Sequence, residues 1–437
     1  MPLPNYRDRN DEKMNTKFYK TKLQAGALQY TIFISVVIAL LVFAFISLTH
    51  VQKKLSIKAC FFQEVISSVN QSFDYLAHHN IPYHEQTEMV LSTEENVATV
   101  VHKSHWGIFD IATVTSKKRK ETFTKTALLG GYQQQKTGLY LQNINQPLVL
   151  VGNTRIEGKT YLPEQGVKRG TIAGHSYMGT KLIYGSIANS NEKLPKIENE
   201  IYIKMVRDKI LLEENNIFIE FQENTRLINS FEKPTNIIRS NDIIELRFVE
   251  LTGNIIIHSA IKIKVYPSAK LKDVILIAPQ IEIVEKVNGN FQGFATKKLT
   301  VGSNCKLTYP TALVLTEKEK RTTQNNNEEV NQINIDKNTE IKGIIAFITK
   351  DNLENYKPQI VLEENTLITG EVYCNQNIEL KGTVKGSVYT KGFIANQFGS
   401  VYKNHIYNGK ILSNDLPLQY CGLSLKNAQQ KVAKWLY

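Results

Sequence analysis

The feature that most restricts the fold of this chain is a stretch of thirty residues without a charged side chain, between Lys22 and Lys53. Its centre, Ile32 to Leu48, is almost entirely apolar. About 20 apolar helical residues span the hydrocarbon core of a bilayer, so the stretch is long enough to cross a membrane. A cleaved signal peptide is the alternative, but its apolar region has about 7–15 residues and ends at a small-x-small site, which residues 49–54 do not provide. We therefore predict an uncleaved transmembrane helix over residues 23–52, which contacts membrane lipid.

The basic residues that flank this segment predict its orientation. Six Lys and Arg residues precede it, and three follow it within a similar length. Because cytoplasmic flanks carry the excess of Lys and Arg, we expect residues 1–22 to form a basic cytoplasmic tail. Everything after about residue 50 is then expected on the outer side of the membrane.

Helical periodicity continues beyond the apolar segment and predicts a stalk. Apolar side chains recur there at steps of three or four residues: Phe61, Val65, Val69, Phe73 and Leu76. One apolar stripe of this kind is typical of an amphipathic helix, which we assign to residues 53–80. Short alternating runs, punctuated by Gly130-Gly131, follow over residues 81–147 and predict a small β-meander.

A self-repeat of the form aliphatic-x-Gly-x-x-Tyr begins near residue 148. Its four copies form two pairs, each with a period of sixteen residues: Ile156, Gly158 and Tyr161; Ile172, Gly174 and Tyr177; Ile368, Gly370 and Tyr373; Val384, Gly386 and Tyr389. A looser rhythm of paired aliphatic residues lies between the pairs, for example Ile261 and Ile263 followed by Ile281 and Ile283 and then by Leu299 and Val301. Within each unit the alternation has a period of two, which indicates short strands.

These spacings predict a β-solenoid, in which a strand-corner-strand path closes in sixteen to twenty residues and each turn stacks about 4.8 Å from the next. Glycine suits the corners because it adopts positive φ without strain. The alternative is a β-sandwich, but a sandwich does not need the same residue type at the same position of each strand. We predict an interrupted solenoid over residues 148–412, with insertions near 189–250 and 317–337. An apolar cap over its open end is expected at 413–437.

The run from Ile368 to Gly399 resembles the bactofilin-like, polymer-forming β-helix repeat, and residues 148–187 resemble it more loosely. In that family, short Gly-x-[Ile/Val] units build a compact solenoid that assembles end to end into cytoskeletal or envelope-associated filaments. The chain departs from the family pattern through its spanning helix, its meander and its long insertions. The resemblance therefore implies the fold more strongly than it implies polymerisation.

The N-terminal layout is similar to that of type IV pilin-like proteins. Lys22-Leu-Gln-Ala-Gly26 matches a short basic leader that ends in Gly, and an apolar helix, an amphipathic stalk and a β-rich region follow it. Pilins usually carry Glu five residues into the mature helix, where this chain has Thr31. The resemblance implies processing at Gly26 and an alternative role as a pseudopilin-like subunit of a secretion or pilus machine.

Residues that carry chemistry are scattered along the chain. Polysaccharide-active β-helix enzymes need carboxylates that converge on one face, but here only pairs such as Glu363 and Glu379, sixteen residues apart, are expected to stack. P-loop, Rossmann, Gly-x-Ser-x-Gly and His-Glu-x-x-His motifs do not occur in the sequence. We predict no catalytic residues, no metal site and no cofactor, and keep a polysaccharide-active enzyme as the less favoured alternative.

The four cysteines do not have the spacing of metal ligands: Cys60, Cys305, Cys374 and Cys421. In an oxidising compartment they are compatible with one or two disulfides, whose pairing sequence does not define, or with buried thiols.

Fifty-three Lys and Arg against 41 Asp and Glu give a net charge of +12, without a nucleic-acid-binding motif. Anionic lipid or an acidic glycan is the simpler partner for such a surface, and we expect no nucleic acid. Together these patterns predict a mainly β protein of the bacterial inner membrane, single-pass, with a periplasmic C-terminal domain. Its expected role is a structural scaffold or assembly component of the cell envelope, which associates with itself or with other envelope proteins.

Overall fold

The computed structural model describes residues 25–79, 81–89, 97–198, 203, 216–217, 224–317, 331–350, 356–426 and 428–437. The predicted basic tail, residues 1–22, lies outside the described residues, as do most of 199–223 and all of 318–330 within the two predicted insertions. The chain divides into two compact units, Met1–Gln63 and Glu64–Tyr437. The described part is mainly β, with one long helix near the N-terminus.

The helix, α1, runs from Ala25 to Leu76. Its most apolar window of 18 residues has a mean hydropathy of 2.9, and none of that window is buried in the protein. Length and composition therefore make it able to span a membrane as a single-pass anchor. The predicted transmembrane and stalk segments are parts of this one helix.

The strands in the first half of the described chain are β1 Gln86–Met89, β2 Ala98–Trp106, β3 Phe109–Lys118, β4 Glu121–Tyr132, β5 Thr137–Leu141, β6 Leu148–Val151, β7 Arg155–Glu157, β8 Lys159–Leu162, β9 Val167–Arg169, β10 Thr171–Ile172, β11 His175–Ser176, β12 Ile187–Asn189, β13 Asn216–Ile217, β14 Arg226–Asn229 and β15 Asn236–Ser240. The later strands are β16 Ile244–Leu246, β17 Glu250–Gly253, β18 Ile255–Ser259, β19 Lys262–Val265, β20 Lys270–Ile283, β21 Asn288–Val301, β22 Lys306–Thr316, β23 Gln332–Ile335, β24 Glu340–Ile348, β25 Ile360–Leu362, β26 Leu367–Leu380, β27 Thr383–Gln397, β28 Ser400–Lys403, β29 His405–Tyr407, β30 Lys410–Leu412 and β31 Gln429–Trp435. A short 3-10 helix, Ser413–Asp415, follows β30.

Strands β1 to β4 form an antiparallel sheet, and the C-terminal strand β31 is added beside β4. The Lys117–Lys120 cluster lies at the β3–β4 hairpin, where Lys118 pairs with Glu121. One face of this sheet packs against the end of α1, with Val69, Phe73 and Leu76 in the shared core. The apolar stripe predicted for the stalk is thus the side of the helix that covers the sheet.

Most of the remaining strands pair in parallel and build a sheet that closes on itself, called here the parallel stack. From β13 to β26, each strand pairs with one that lies later in the chain, by sixteen residues for Ile368 and Val384. Apolar side chains in register form continuous buried columns inside it, one of which consists of Leu246, Val265, Ile283, Val301, Ile335, Leu362 and Leu380. Burial of such columns on every turn supplies the main stabilisation of this part of the chain.

The spatial order of the stack differs from the order of the sequence. Strand β27, close to the C-terminus, pairs in parallel with β5, and β29 and β30 pair with β6 and β7. Residues 137–162 therefore continue the stack where residues 383–412 end. The predicted segment 189–250 is only partly an insertion, because residues 226–246 already contribute strands β14, β15 and β16 to the stack.

The aliphatic rhythm is found in the stack with one difference in register. Ile281 pairs with Leu299, and Ile360 pairs with Ile378, as the spacing indicates. However, Ile263 rather than Ile261 is the partner of Ile281, and the Ile261 side chain is 49% exposed. A shift of two residues keeps every side chain on the same face, so alternation alone does not distinguish the two registers.

The C-terminal segment, predicted as a cap, follows the side of the stack, and we call residues 413–426 and 428–437 the strap. Near its start Asp415 pairs with Lys385 at 3.3 Å. Farther on, the Tyr420 hydroxyl donates to the Gly343 carbonyl, and at the end Lys434 binds Asp273. The strap therefore contacts three turns of the stack that are far apart in sequence, at Lys385, Gly343 and Asp273. Apolar residues at the terminus indicated that it would be buried, but not which surface it would cover.

Candidate interaction surface

Three copies of the predicted repeat share one column of the parallel stack. Ile368 pairs with Val384, Val384 with Ile411, and Ile411 with Ile156. All four side chains have no exposed area. The two pairs of repeats, about two hundred residues apart in sequence, are thus brought together where β30 meets β7.

The glycine and tyrosine positions follow the same order. Gly370 and Gly386 are register partners with φ of 149° and 153°, whereas Gly158 occupies a turn with φ of 92°. The tyrosines form one row in register: Tyr373, Tyr389, Tyr140 and Tyr161. Tyr140 does not match the repeat because its spacing is Gly-x-Tyr, and the ladder has a register shift at this point, between Thr137 and Leu139.

The copy Ile172, Gly174 and Tyr177 does not continue that column. Ile172 belongs to the antiparallel pair β10–β11 and packs against Val149 and Val151. The next residue to bridge Glu157 in parallel is Tyr184. A short hairpin at residues 171–176 therefore separates the two turns of the stack, which equal spacing in sequence did not reveal.

The tyrosine row is covered rather than open to a partner. The Tyr373 hydroxyl donates to the Pro195 carbonyl at 3.2 Å, and the Asn191 amide donates to the Tyr140 hydroxyl at 2.9 Å. The Tyr389 hydroxyl accepts a hydrogen bond from Gln133 Nε2 at 2.9 Å, and burial raises the pKa of Tyr389. This side of the stack is thus occupied by the chain itself.

A different side of the stack carries rows of mainly polar side chains, of which Val361 and Glu379 are buried, and we call it the polar side. One row, in register, consists of Glu245, Lys264, Glu282, Thr300, Asn334, Val361 and Glu379. The neighbouring row consists of Lys262, Gln280, Lys298 and Gln332. Opposite charges meet between turns, because Lys262 forms an ion pair with Glu282, and Lys264 Nζ lies 3.8 Å from Glu245. The result is a regular surface of mixed charge.

The polar side contains a groove of about 470 Å³, lined among others by Lys298, Asn334, Glu363 and Glu379. Lys381 Nζ lies 3.1 Å from a Glu363 oxygen and 3.5 Å from a Glu379 oxygen. Burial lowers the pKa of Lys381, but the two carboxylates outweigh that effect and the pKa is raised overall. Glu363 and Glu379, which their spacing predicts to stack, are not register partners, because Glu379 pairs with Val361; instead both carboxylates share the Lys381 ammonium group.

The Glu379 carboxylate has further partners that fix its position. It accepts hydrogen bonds from the Asn396 backbone amide at 3.1 Å and from Asn396 Nδ2 at 3.0 Å. A general acid for glycoside cleavage must instead present a protonated carboxyl to the substrate. The arrangement suits a fixed polar contact surface.

A second carboxyl group, Glu371, is buried where the strap crosses the stack. Its Oε2 accepts a hydrogen bond from the Leu423 amide at 2.6 Å. Burial raises the pKa of Glu371 to about 7, although the Leu423 hydrogen bond and the charge of Lys136 act in the opposite direction. Burial also raises the pKa of the nearby Cys421 thiol to about 11. These groups join the strap to the stack.

His78 and His105 lie apart from these surfaces, whereas Cys421 belongs to the strap. His78 Nδ1 is 3.0 Å from the Asp74 carbonyl, and His105 Nδ1 is 2.8 Å from Asp110. Within the described ranges, no three His, Cys, Asp or Glu side chains are grouped so as to hold a metal ion. Three of the four cysteines are buried thiols in the structure: Cys305, Cys374 and Cys421.

Comparison with known proteins adds no relative to this description. No protein-family model matches the chain, and neither the curated proteins nor the solved structures give a match.

Proposed function

We propose that this chain is a membrane-anchored structural scaffold or assembly component of the bacterial cell envelope. The observation that supports this most directly is the run of buried columns in register, which extends through the parallel stack and across the junction between β30 and β7. A body built this way is rigid along the stack, and its surface repeats with the strand spacing. The apolar helix α1 supplies an anchor of sufficient length.

The parallel stack is, in our interpretation, a β-solenoid. The parallel pairing of strands about one turn apart, the closed sheet and the buried inner columns support it, as does the resemblance of residues 368–399 to bactofilin-like repeats. Because the tyrosine row is covered, whereas Glu245 and Lys298 on the polar side are exposed in the described part of the chain, we assign partner contacts to the polar side. The expected partners are further copies of this chain or other envelope proteins with complementary charge.

The orientation that follows from the flanking charges belongs to the same proposal. With the basic N-terminus in the cytoplasm, the body would lie in the periplasm of an inner-membrane protein. The contacts that we propose are non-covalent and need no cofactor.

Charge reversals test the assignment of the polar side. Lys264→Glu and Lys298→Glu, combined, are expected to reduce self-association or partner capture by at least about tenfold, since like charges at an interface repel. Lys270→Glu with Lys306→Glu is the matched control, because both residues face outward from another side of the stack. Sedimentation velocity and cross-linking of the detergent-purified full-length protein provide the measurement. If neither pair changes association, the scaffold proposal fails.

A pseudopilin-like subunit is the second candidate, and one observation favours it. The last part of α1, Glu64–Leu76, packs against an antiparallel sheet, whereas the preceding apolar part is exposed. Such a layout matches an N-terminal helix that serves both as a membrane segment and as part of the folded head. N-terminal sequencing of the protein purified from membranes distinguishes the candidates. A start at Ala27 is expected for the pseudopilin, and a chain that retains residues 1–26 excludes it.

A further inference from the structure

The antiparallel sheet encloses three side chains whose burial is unusual for their polarity. Lys103 on β2 is 1% exposed, Asp110 on β3 is 0% exposed, and Gln430 on β31 is 7% exposed. Lysine and aspartate are almost never fully buried unless they are paired. The three residues come from strands far apart in sequence, and β31 belongs to the strap.

The three groups form a closed triangle of contacts. Lys103 Nζ donates to Gln430 Oε1 at 2.8 Å, and Gln430 Nε2 donates to Asp110 Oδ2 at 2.6 Å. Lys103 Nζ lies 3.5 Å from the same Asp110 oxygen. An amine, a carboxamide and a carboxylate are thus held together without bulk water between them.

Neighbouring side chains hold Asp110 in place. His105 Nδ1 is 2.8 Å from Asp110 Oδ1, and the Tyr83 hydroxyl donates to Asp110 Oδ2 at 2.8 Å. The Lys103 ammonium also lies over the Tyr83 ring, 4.4 Å from its centre. An ion pair between Lys103 and Asp110 would account for the burial of two charges. It does not account for the carboxamide that bridges both of them, with its carbonyl towards the amine and its NH₂ towards the carboxylate.

We propose that Lys103 and Gln430 join in an intramolecular isopeptide bond, formed by the folded protein itself with Asp110 as the proton-transfer group. The arrangement brings together the groups that this condensation needs: the Lys103 nitrogen lies 2.8 Å from the carbonyl oxygen of Gln430, and the Asp110 carboxylate lies 3.5 Å from that nitrogen and 2.6 Å from the leaving nitrogen, Nε2. Groups fixed in this way react as if at a very high effective concentration.

The reaction balances without an oxidant or a cofactor. Lys103 Nζ gives one proton to the Asp110 carboxylate, attacks Cδ of Gln430 and forms the new C–N bond. Asp110 passes that proton to Nε2, the C–Nε2 bond breaks, and ammonia leaves. Asp110 takes the second proton that Nζ loses and releases it to solvent. Burial raises the pKa of Asp110, but the His105 hydrogen bond, Lys103 and Gln430 outweigh it and the pKa is lowered overall, so that the group starts as a carboxylate.

The bond would have a mechanical consequence for the sheet. Among the described strands, β31 pairs with β4 alone and lies at the edge of the antiparallel sheet. A covalent link from β2 to β31 would bridge the two strands between them and tie the strap to the sheet. Cross-links of this kind stabilise a protein largely by restricting its unfolded chain.

Peptide mapping of the full-length, detergent-purified protein tests the proposal. The expected product is a branched peptide in which trypsin has not cleaved after Lys103 and in which the segment containing Gln430 is attached there. Its mass is lower than that of the two segments together by one molecule of ammonia. Recovery of both segments as separate, unmodified peptides from the folded protein would overturn the proposal.

Two variants examine the assigned roles. Asp110→Asn keeps both reacting groups but removes the base, so the branched peptide is expected to disappear. Gln429→Ala, at the exposed neighbour of Gln430, is the matched control and should retain the bond. A branched peptide that persists in Asp110→Asn contradicts the role of Asp110, and loss of the branched peptide in Gln429→Ala contradicts the site. The unmodified protein carries the test even if Asp110→Asn does not fold.

Discussion

Gly370→Ala is expected to destabilise the β-rich unit by about 3 kcal/mol or more, the range of a substitution that forces both backbone strain and a steric clash. Gly370 has φ of 149°, a conformation that residues with a side chain rarely adopt. An added Cβ would lie 1.9 Å from the carbonyl oxygen of Gly343, in the neighbouring strand. Backbone atoms cannot move aside without breaking hydrogen bonds of the parallel ladder, so the substitution destabilises the stack as a whole.

The next glycine of the column, Gly386, is expected to be equally sensitive, and Gly293 provides a control. Gly386 has φ of 153°, and its added Cβ would lie 1.8 Å from the Gly370 oxygen, so Gly386→Ala should be equally harmful. Gly293→Ala is the matched control, because its Cβ would meet only side chains at ordinary distances of 3.5 Å or more. Denaturant unfolding followed by tryptophan fluorescence measures the differences. Equal stability of Gly370→Ala and Gly293→Ala would contradict the strand register described here.

Sequence periodicity predicted much of the local structure of the stack because the same residue types return to the same column. The aliphatic position of the repeat is an example, since Ile368, Val384 and Ile156 are in register although half of the chain separates them. The order of the turns was not predictable in this way. When several repeats have the same sequence pattern, the pattern does not show which of them are neighbours in the fold. The β27–β5 pairing, for example, joins strands that no local pattern connects.

Asparagine residues mark one corner of the stack in the sequence. Asn304, Asn338 and Asn365 have φ between 57° and 59°, and each is followed by Cys or Thr and, three positions on, by a buried aliphatic residue. Asparagine tolerates this left-handed conformation better than most residues, so the pattern marks one corner of successive turns. The Thr339 hydroxyl at this corner donates to the Gly302 carbonyl at 2.9 Å and thereby links neighbouring turns.

The buried polar groups could not have been predicted from spacing. Lys103 and Asp110 alternate with ordinary strand residues, and Gln430 follows an identical residue, so none of them differs in pattern from surface side chains. Only the fold of the strap beside β4 brings the glutamine to the other two. Glu371 is a comparable case. Its position in the repeat is one at which an exposed residue is expected, but in the fold Leu423 and Gly422 cover it.

Glu371→Gln is expected to remove a pH dependence of about 3 kcal/mol from the stability of the β-rich unit. The Glu371 side chain is 4% exposed, and its pKa is raised by burial from 4.5 to about 7. A folded state that binds a proton more tightly than the unfolded state is stabilised at low pH. Stability should therefore fall as the pH rises from about 4.5 towards about 7, and remain lower above it.

The groups that surround Glu371 determine the size of this effect. Lys136 and the Leu423 amide favour the carboxylate, whereas burial disfavours it. The neighbouring Tyr309, Tyr389, Tyr420 and Cys421 have raised pKa values and stay neutral across this pH range. Gln has an oxygen that still accepts from Leu423 but has no charge to bury. The free energy of unfolding of the variant should therefore exceed that of the native protein by most above pH 7.

Unfolding free energies of the native protein and of Glu371→Gln, measured at about pH 4 and about pH 8, test this expectation. The difference between the two proteins should shift in favour of the variant by about 3 kcal/mol on going to the higher pH. Hydrogen exchange of the Leu423 amide gives a local readout, and its protection in the native protein should decrease over the same interval. Glu379→Gln is the matched control, because that carboxylate is held by Lys381 and Asn396. A parallel pH dependence in both native protein and Glu371→Gln would mean that Glu371 does not couple the strap to the stack.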